Sequence, residues 1–205
     1  MLKMALLINL ILVFCEVCTL SHIRKKRDIL KYYTYLQNLI ALFTSAVLIL
    51  YMVIHRASSR EMPAFLSGIR YVATCGLAAT TVMFLTFLGG GKKNPLQEDD
   101  FLSGFSPRIA NAVLHYICPA LSLVSFVLFE RELPLPDGIW TGLAAVPSCL
   151  YWIIYMILSA AKWWEEPYDF AAQEGKGKVW EVLPFILIPL MFVAVSFVLW
   201  TVRSI

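Results

Sequence analysis

Three polar residues whose side chains together could cleave a carbonyl bond stand in or beside apolar segments: Thr34, His115 and Glu16. A hydroxyl can act as a nucleophile, an imidazole as the base that removes its proton, and a carboxylate as the group that orients the imidazole. The first two each have a polar companion four residues away, Asn38 after Thr34 and Asn111 before His115. Because residues four apart share a face of a helix, each pair would present two polar groups to one neighbour.

The elements that must position these residues are membrane-spanning helices. Of the 205 residues, 60% are apolar and 15% are charged, whereas soluble domains carry roughly 25% charged residues. The mean hydropathy is +0.72. This composition excludes a soluble enzyme, a disordered tail and a nucleic-acid-binding domain, and a net charge of +3 does not indicate an acidic polymer as partner. The apolar runs predict an all-α, polytopic membrane protein in which residues 1–205 form a single bundle of six transmembrane helices. The predicted spans are 4–22, 32–54, 65–88, 108–129, 139–161 and 179–202.

The two membrane faces differ in their basic residues. Side B is defined here as the face reached by the segments that join spans 1–2, 3–4 and 5–6, and side A as the face of both termini. Side B carries eleven of the seventeen Lys and Arg residues, so the positive-inside rule predicts that side B is cytoplasmic. The basic cluster at 24–27, together with the lack of a small-residue cleavage site, indicates that the first span is retained rather than removed as a signal peptide.

The candidate reactive groups are predicted to lie in one layer near side B. With a rise of about 1.5 Å per residue, Thr34 lies roughly 3–5 Å and His115 roughly 10 Å from the side B ends of their helices. Glu16 lies roughly 10 Å from the same face, because its helix ends there. We therefore expect Thr34 and His115 to face one cavity with their side chains within about 6 Å.

Each reactive group also has a structural interpretation. A threonine at a helix start usually caps the helix or bonds back to a carbonyl of its own turn. An intramembrane histidine can serve packing through a bridging hydrogen bond, although a functional role is the default. Glu16 could extend toward Arg24 at the membrane surface instead of orienting His115.

The remaining polar residues and prolines of the spans are interpreted as mainly structural. Asn38 and Asn111 serve equally well as hydrogen bonds between helices or as site residues. Arg70, near the start of the third span, is expected to extend its side chain to side A. The prolines within the spans are expected to kink their helices; they are Pro119, Pro147, Pro184 and Pro189.

Nothing in the sequence indicates a metal or an organic cofactor. Cys15 and Cys18 have the spacing of half a zinc site, but no second pair and no histidine cluster accompany them. All five cysteines lie in apolar stretches, which is typical of packing residues. The glycine-rich segment 89–94 lacks the features of a phosphate-binding loop and is interpreted as a linker.

Several segments resemble androgen-induced-protein-like membrane hydrolases. Residues 30–39, LKYYTYLQNL, resemble the segment in which that family places a threonine at a helix start. Residues 111–119, NAVLHYICP, resemble its Asn/His segment with a proline after the histidine. The aromatic stretch 150–155 and the sequence PYDF at 167–170 resemble its fifth helix and the loop that follows. The six-helix plan agrees over nearly the whole chain.

The resemblance implies an integral-membrane threonine hydrolase that cleaves fatty acid esters of hydroxy fatty acids without a cofactor. By position, the family's nucleophile falls on Thr34 and its histidine on His115. Asn38 or Asn111 would then donate to the oxyanion, and the partners would be a lipid ester and membrane lipids, with no nucleic acid. Glu16 has no counterpart in the family. The alternatives are a small transporter, although no inverted repeat is visible, and a non-catalytic membrane scaffold or sensor.

A hydrolase of long-chain esters needs an apolar tunnel and a wet entrance. We expect helices 2–5 to line the tunnel, with Leu39, Phe43, Leu114 and Leu121 as lining residues. The entrance is expected on side B, where residues 92–100 would form part of a lid.

Overall fold

A computed structural model describes residues 1–23, 32–55, 62–88, 106–135, 137–164 and 178–205, without the side chains of 87–88 and 178–185. The predicted lid at 92–100, Arg24 and the sequence PYDF at 167–170 lie outside these residues.

Six helices in the described ranges are long and apolar enough to cross a membrane, as predicted. The protein is an all-α polytopic bundle, and the described residues contain no β-strand. The helices are α1 Leu2–Ser21, α2 Tyr33–Ile54, α3 Ala64–Met83, α4 Pro107–Phe129, α5 Ile139–Ala160 and α6 Lys178–Ser204. The predicted ends lie within a few residues of these bounds.

Helix α3 is the centre of the bundle. In its apolar stretch 72% of the residues are buried, against 22–44% in the other five spans. It contacts α2, α4, α5 and α6, while α1 packs on α2 and α4. The outer helices turn their large aliphatic side chains to the surface, where lipid rather than water is the solvent for an apolar face.

Two glycines let the neighbours of α3 approach closely. A Cβ at Gly76 would lie 1.9 Å from Oε1 of Gln37, and one at Gly68 would lie 2.3 Å from the ring of Trp140. Small residues at helix contacts are how membrane bundles gain packing without a hydrophobic driving force. Gly76 thus makes room for a polar side chain of α2 in the middle of the bundle.

Helix α4 is not uniformly α-helical. Two π-helical turns interrupt it, at Val113–Ile117 and at Ser125–Phe129. A third π-turn, Phe84–Leu88, extends α3 toward side B. Such turns are rare and occur frequently at functional sites.

Candidate active site

The predicted site residues lie on three helices whose ends meet near side B. The end of α1, the start of α2 and the start of α4 share one apolar cluster, which contains Leu20, Tyr35, Ala110 and Leu114. Their contact brings the helices that carry the candidate nucleophile, base and carboxylate together at one level.

His115 lies at the centre of the first π-turn of α4. The amide of Cys118 donates to the carbonyl of Val113, five residues back, rather than to that of Leu114. Pro119 has no N–H, so it cannot supply the helical hydrogen bond that the carbonyl of His115 would otherwise accept. The backbone of α4 therefore presents two carbonyls, those of Leu114 and His115, that lack these helical donors.

Side chains from two other helices supply the missing donors. Nδ2 of Asn38 donates to the carbonyl of Leu114 at 3.4 Å, and Oγ1 of Thr81 donates to that of His115 at 2.7 Å. The same Nδ2 donates to the carbonyl of Thr34 at 2.7 Å. Asn38 thus joins the backbone turn of Thr34 to the backbone beside His115, and Thr81 ties that turn of α4 to α3.

The His115 side chain is buried and held on two sides. Its ring stacks on Phe84 with centroids 4.2 Å apart and 28° between the planes. It also hydrogen-bonds to the backbone of Thr80, while its Nδ1 has no partner among the described residues. Nδ1 is thus a ring nitrogen that a reacting group could still engage. The stacked ring and its open Nδ1 are the arrangement that a base would require.

Thr34 is the second residue of α2. Its side chain is 9% exposed, and its hydroxyl makes no hydrogen bond within the described ranges. The expected cap or bond back to its own turn is therefore absent from these ranges. Nδ1 of His115 accepts no hydrogen bond from Thr34, although the helices that carry the two residues meet in the shared apolar cluster.

The two asparagines have different roles. Both hydrogens of the Asn38 amide are used by backbone carbonyls, which fits a positioning role better than donation to an oxyanion. Oδ1 of Asn38 and Oδ1 of Asn111 are buried and have no partner among the described residues. Asn111 is half-buried and stands one helical turn from His115.

Glu16 does not extend to the membrane surface, so that interpretation is wrong. Its side chain is fully buried, and neither carboxylate oxygen has a hydrogen-bond partner in the described part of the chain. The carboxyl group of Glu16 interacts electrostatically with the guanidinium of Arg70 and with the thiols of Cys15 and Cys118. No contact with His115 supports the predicted orienting role.

The prediction for Arg70 is also wrong. Arg70 does not reach side A as an exposed side chain but is fully buried. Its Nε donates to both carboxylate oxygens of Glu130, at 3.2 and 3.1 Å, and its Nη2 donates to one of them at 2.9 Å. Its Nη1 donates to Oγ of Ser122 at 3.0 Å. The paired carboxylate and these hydrogen bonds offset the cost of removing the guanidinium from water.

Further polar groups form hydrogen bonds with this ion pair or with its partners, which gives a network near side A. Ser125 and Asn9 both donate to Oε1 of Glu130, at 2.6 and 3.1 Å. Thr74 shares a hydrogen bond with Ser122 at 3.0 Å. Arg203, at the end of α6, donates to the backbone carbonyl of Glu130. Burial raises the pKa of Glu130, but the charge of Arg70 and these hydrogen bonds outweigh it and hold the pKa below its ordinary value.

Sequence reasoning missed this side A network, although a signal for it existed. One face of α4 carries polar or small residues at spacings of three and four. They are Asn111, His115, Cys118, Ser122 and Ser125. The stripe crosses the membrane from the candidate site to the ion pair.

An apolar groove of about 500 Å³ lies between α3, α4 and α6. Ala78 and Val82 of α3 lie on one wall, and Met191 and Val202 mark its extent along α6. The predicted tunnel residues do not line it. Phe43 is 68% exposed, so its ring faces outward instead of lining an interior tunnel.

No group of three or more His, Cys, Asp or Glu side chains converges as a metal site within the described ranges. No family model, curated protein or solved structure matches this chain. The resemblance in sequence therefore remains a prediction.

Proposed function

We propose that this protein is an intramembrane hydrolase of lipid esters, with Thr34 as the nucleophile and His115 as the base. One observation carries the proposal. The π-turn before Pro119 holds a buried imidazole whose Nδ1 has no partner among the described residues, and Asn38 ties that turn to the backbone of Thr34. An ionisable side chain inside a membrane bundle is by default a candidate functional group.

The proposed reaction proceeds in two halves. Oγ1 of Thr34 attacks the ester carbonyl carbon while Nδ1 of His115 takes the hydroxyl proton. The tetrahedral intermediate collapses, the C–O bond to the alcohol breaks, and His115 returns the proton to that alcohol. Water then attacks the acyl-threonine, with His115 again taking and returning one proton, which frees the fatty acid and restores Thr34.

The surroundings support a lipid substrate. The reactive layer lies inside a bundle whose outer surface is apolar, and the groove beside α3 is lined by aliphatic side chains and Met191. Val82 at one end of that groove is the neighbour of Thr81, which binds the carbonyl of His115. We propose a long-chain ester, of the kind that the resemblance implies, with its head entering from side B. The basic bias further supports the proposal that side B is cytoplasmic.

A fluorophosphonate probe tests the proposal directly. The purified protein in lipid nanodiscs should be labelled, and Thr34→Ala should abolish the labelling together with ester cleavage. Thr44→Ala is the matched control, because Thr44 is also a buried threonine of α2 but its hydroxyl is already bonded to the carbonyl of Ile40 at 2.7 Å. Thr34→Ser should recover labelling.

The alternative functions predict another outcome. A transporter or a scaffold should remain unlabelled in every variant. Labelling that survives in Thr34→Ala would also contradict the assignment of the nucleophile.

A further inference from the structure

Two carboxyl groups among the described residues are fully buried, and their surroundings are very different. Glu130 accepts hydrogen bonds from Arg70, Ser125 and Asn9. Glu16 is equally buried, yet neither of its oxygens has a partner among the described residues. Within the described part of the chain, one carboxyl is therefore surrounded by donors and the other accepts no hydrogen bond.

Arg70, the cation that interacts electrostatically with Glu16, forms its hydrogen bonds with other residues. The three guanidinium nitrogens of Arg70 donate to Glu130 and to Ser122. Its charge is thus largely balanced by a carboxylate in direct contact, at 2.9 Å. Arg70 cannot turn a donor toward Glu16 without breaking that pair.

The helices packed around Glu16 supply no other cation in the described ranges. On α1 itself the titratable neighbour is Cys15, and on α4 it is Cys118. The buried face of α2 carries the neutral side chains Gln37, Asn38 and Ala41. A carboxylate in this position would be an unpaired charge removed from water, whereas a carboxylic acid would bury only a neutral polar group.

We propose that Glu16 is a proton-binding site in the interior of the bundle, a carboxylic acid that stays protonated at neutral pH while Glu130 is ionised. The site goes beyond the proposed hydrolase, since neither the nucleophile nor the base contacts it. Its ligand is the proton, bound on the buried face of α1, the helix that packs on α2 and α4. Carboxyl groups placed in this way inside membrane bundles bind and release protons in proton-linked proteins.

An apolar carbodiimide, dicyclohexylcarbodiimide, distinguishes the two carboxyl groups in the unmodified protein. In the reaction the acid proton moves to a carbodiimide nitrogen and the carboxyl oxygen adds to the central carbon, so a protonated carboxyl is required. Full-length protein in nanodiscs is treated over a range of pH, and peptide masses locate the adduct. Glu16 should be modified several-fold more than Glu130 at neutral pH, and the modification should fall at alkaline pH.

Two variants and one ion sharpen the test. Glu16→Gln should lose the adduct, and Thr34→Ala should be modified like the unaltered protein, which separates this proposal from the hydrolase. Modification of Glu130 with Glu16 spared would overturn the proposal. Protection of Glu16 by sodium ions at constant pH would also overturn it, because the site would then bind a metal cation rather than a proton.

Discussion

The ion pair near side A and the candidate reactive groups near side B differ in how completely they are hydrogen-bonded. Near side A, the guanidinium of Arg70 and the carboxylate of Glu130 are paired and surrounded by further donors. Near side B, Nδ1 of His115 and Oδ1 of Asn111 have no partner in the described ranges, and the hydroxyl of Thr34 forms no bond there.

The difference separates two uses of polarity in a membrane bundle. Buried polar groups that satisfy one another specify how helices pack, because no competing water offers an alternative. Buried polar groups left open raise the free energy of the empty protein, and a ligand or reactant can relieve that cost. We therefore interpret the side A network as structural and the side B layer as functional.

The largest expected effect comes from breaking the ion pair near side A. Arg70→Met should destabilise the bundle by about 3–5 kcal/mol, because Glu130 is left as an uncompensated buried charge. Unfolding in mixed micelles can be followed by the reactivity of the buried thiols Cys75 and Cys118. The double variant Arg70→Met, Glu130→Leu should regain much of the loss. Equal stability of the single and double variants would contradict the interpretation of a paired network.

A second effect concerns the hydroxyl that holds the His115 turn. Thr81→Val should lower kcat of ester cleavage by about 10²-fold, because a misplaced base loses near-attack geometry. It should lower stability by only about 1–3 kcal/mol. Thr81→Ser should restore the rate. Thr86→Val is the control, since that hydroxyl bonds only to carbonyls of its own helix. A similar loss of kcat in both valine variants would argue against a specific role of Thr81.

A third effect tests the close approach of α2 and α3. Gly76→Ala should destabilise the bundle by about 1–3 kcal/mol, because the new methyl group meets the Gln37 side chain. Gly142→Ala is the matched control, since no atom lies within 4 Å of its added Cβ. That variant should be neutral or slightly stabilising, by about 0.5–1 kcal/mol. Thermal unfolding in detergent measures both, and a stable Gly76→Ala would show that Gln37 can move aside freely.

The smallest effect is the acid response of Glu130. Its pKa in the folded protein is lowered, chiefly by Arg70 against the opposing effect of burial. The associated stability is therefore fully present above the ordinary glutamate pKa of about 4.3 and is lost as pH falls through the lower folded value. The loss should reach at most about 1.4 kcal/mol per pH unit. Glu130→Gln should unfold more easily at neutral pH yet lose this acid response, and an unchanged acid response would assign it to other groups.

The sequence predicted the transmembrane plan well because each span is a local property. About twenty consecutive apolar residues must form a helix in a bilayer, whatever their neighbours are. Helix geometry alone likewise places Thr34 and Asn38 on one face of their helix, and Asn111 and His115 on one face of theirs, because the residues of each pair are four apart. Pro119 also indicated an irregularity in α4, because a proline has no N–H to continue the helical hydrogen bonds.

The tertiary structure decided which groups those polar residues meet. The position of Arg70 near the start of its helix predicts a side chain at the surface. Its pairing with Glu130 is not evident in the sequence, because the two residues stand 60 positions apart and sequence periodicity carries no information about such pairs. The same limit applies to Pro119, whose missing N–H is evident in the sequence while the donors that compensate for it, Asn38 and Thr81, come from other helices. Local composition determined that six helices cross the membrane. The packing of those helices around α3 determined which buried polar atoms are paired and which remain open, because a hydrogen bond depends on the distance between two atoms and not on their separation in sequence.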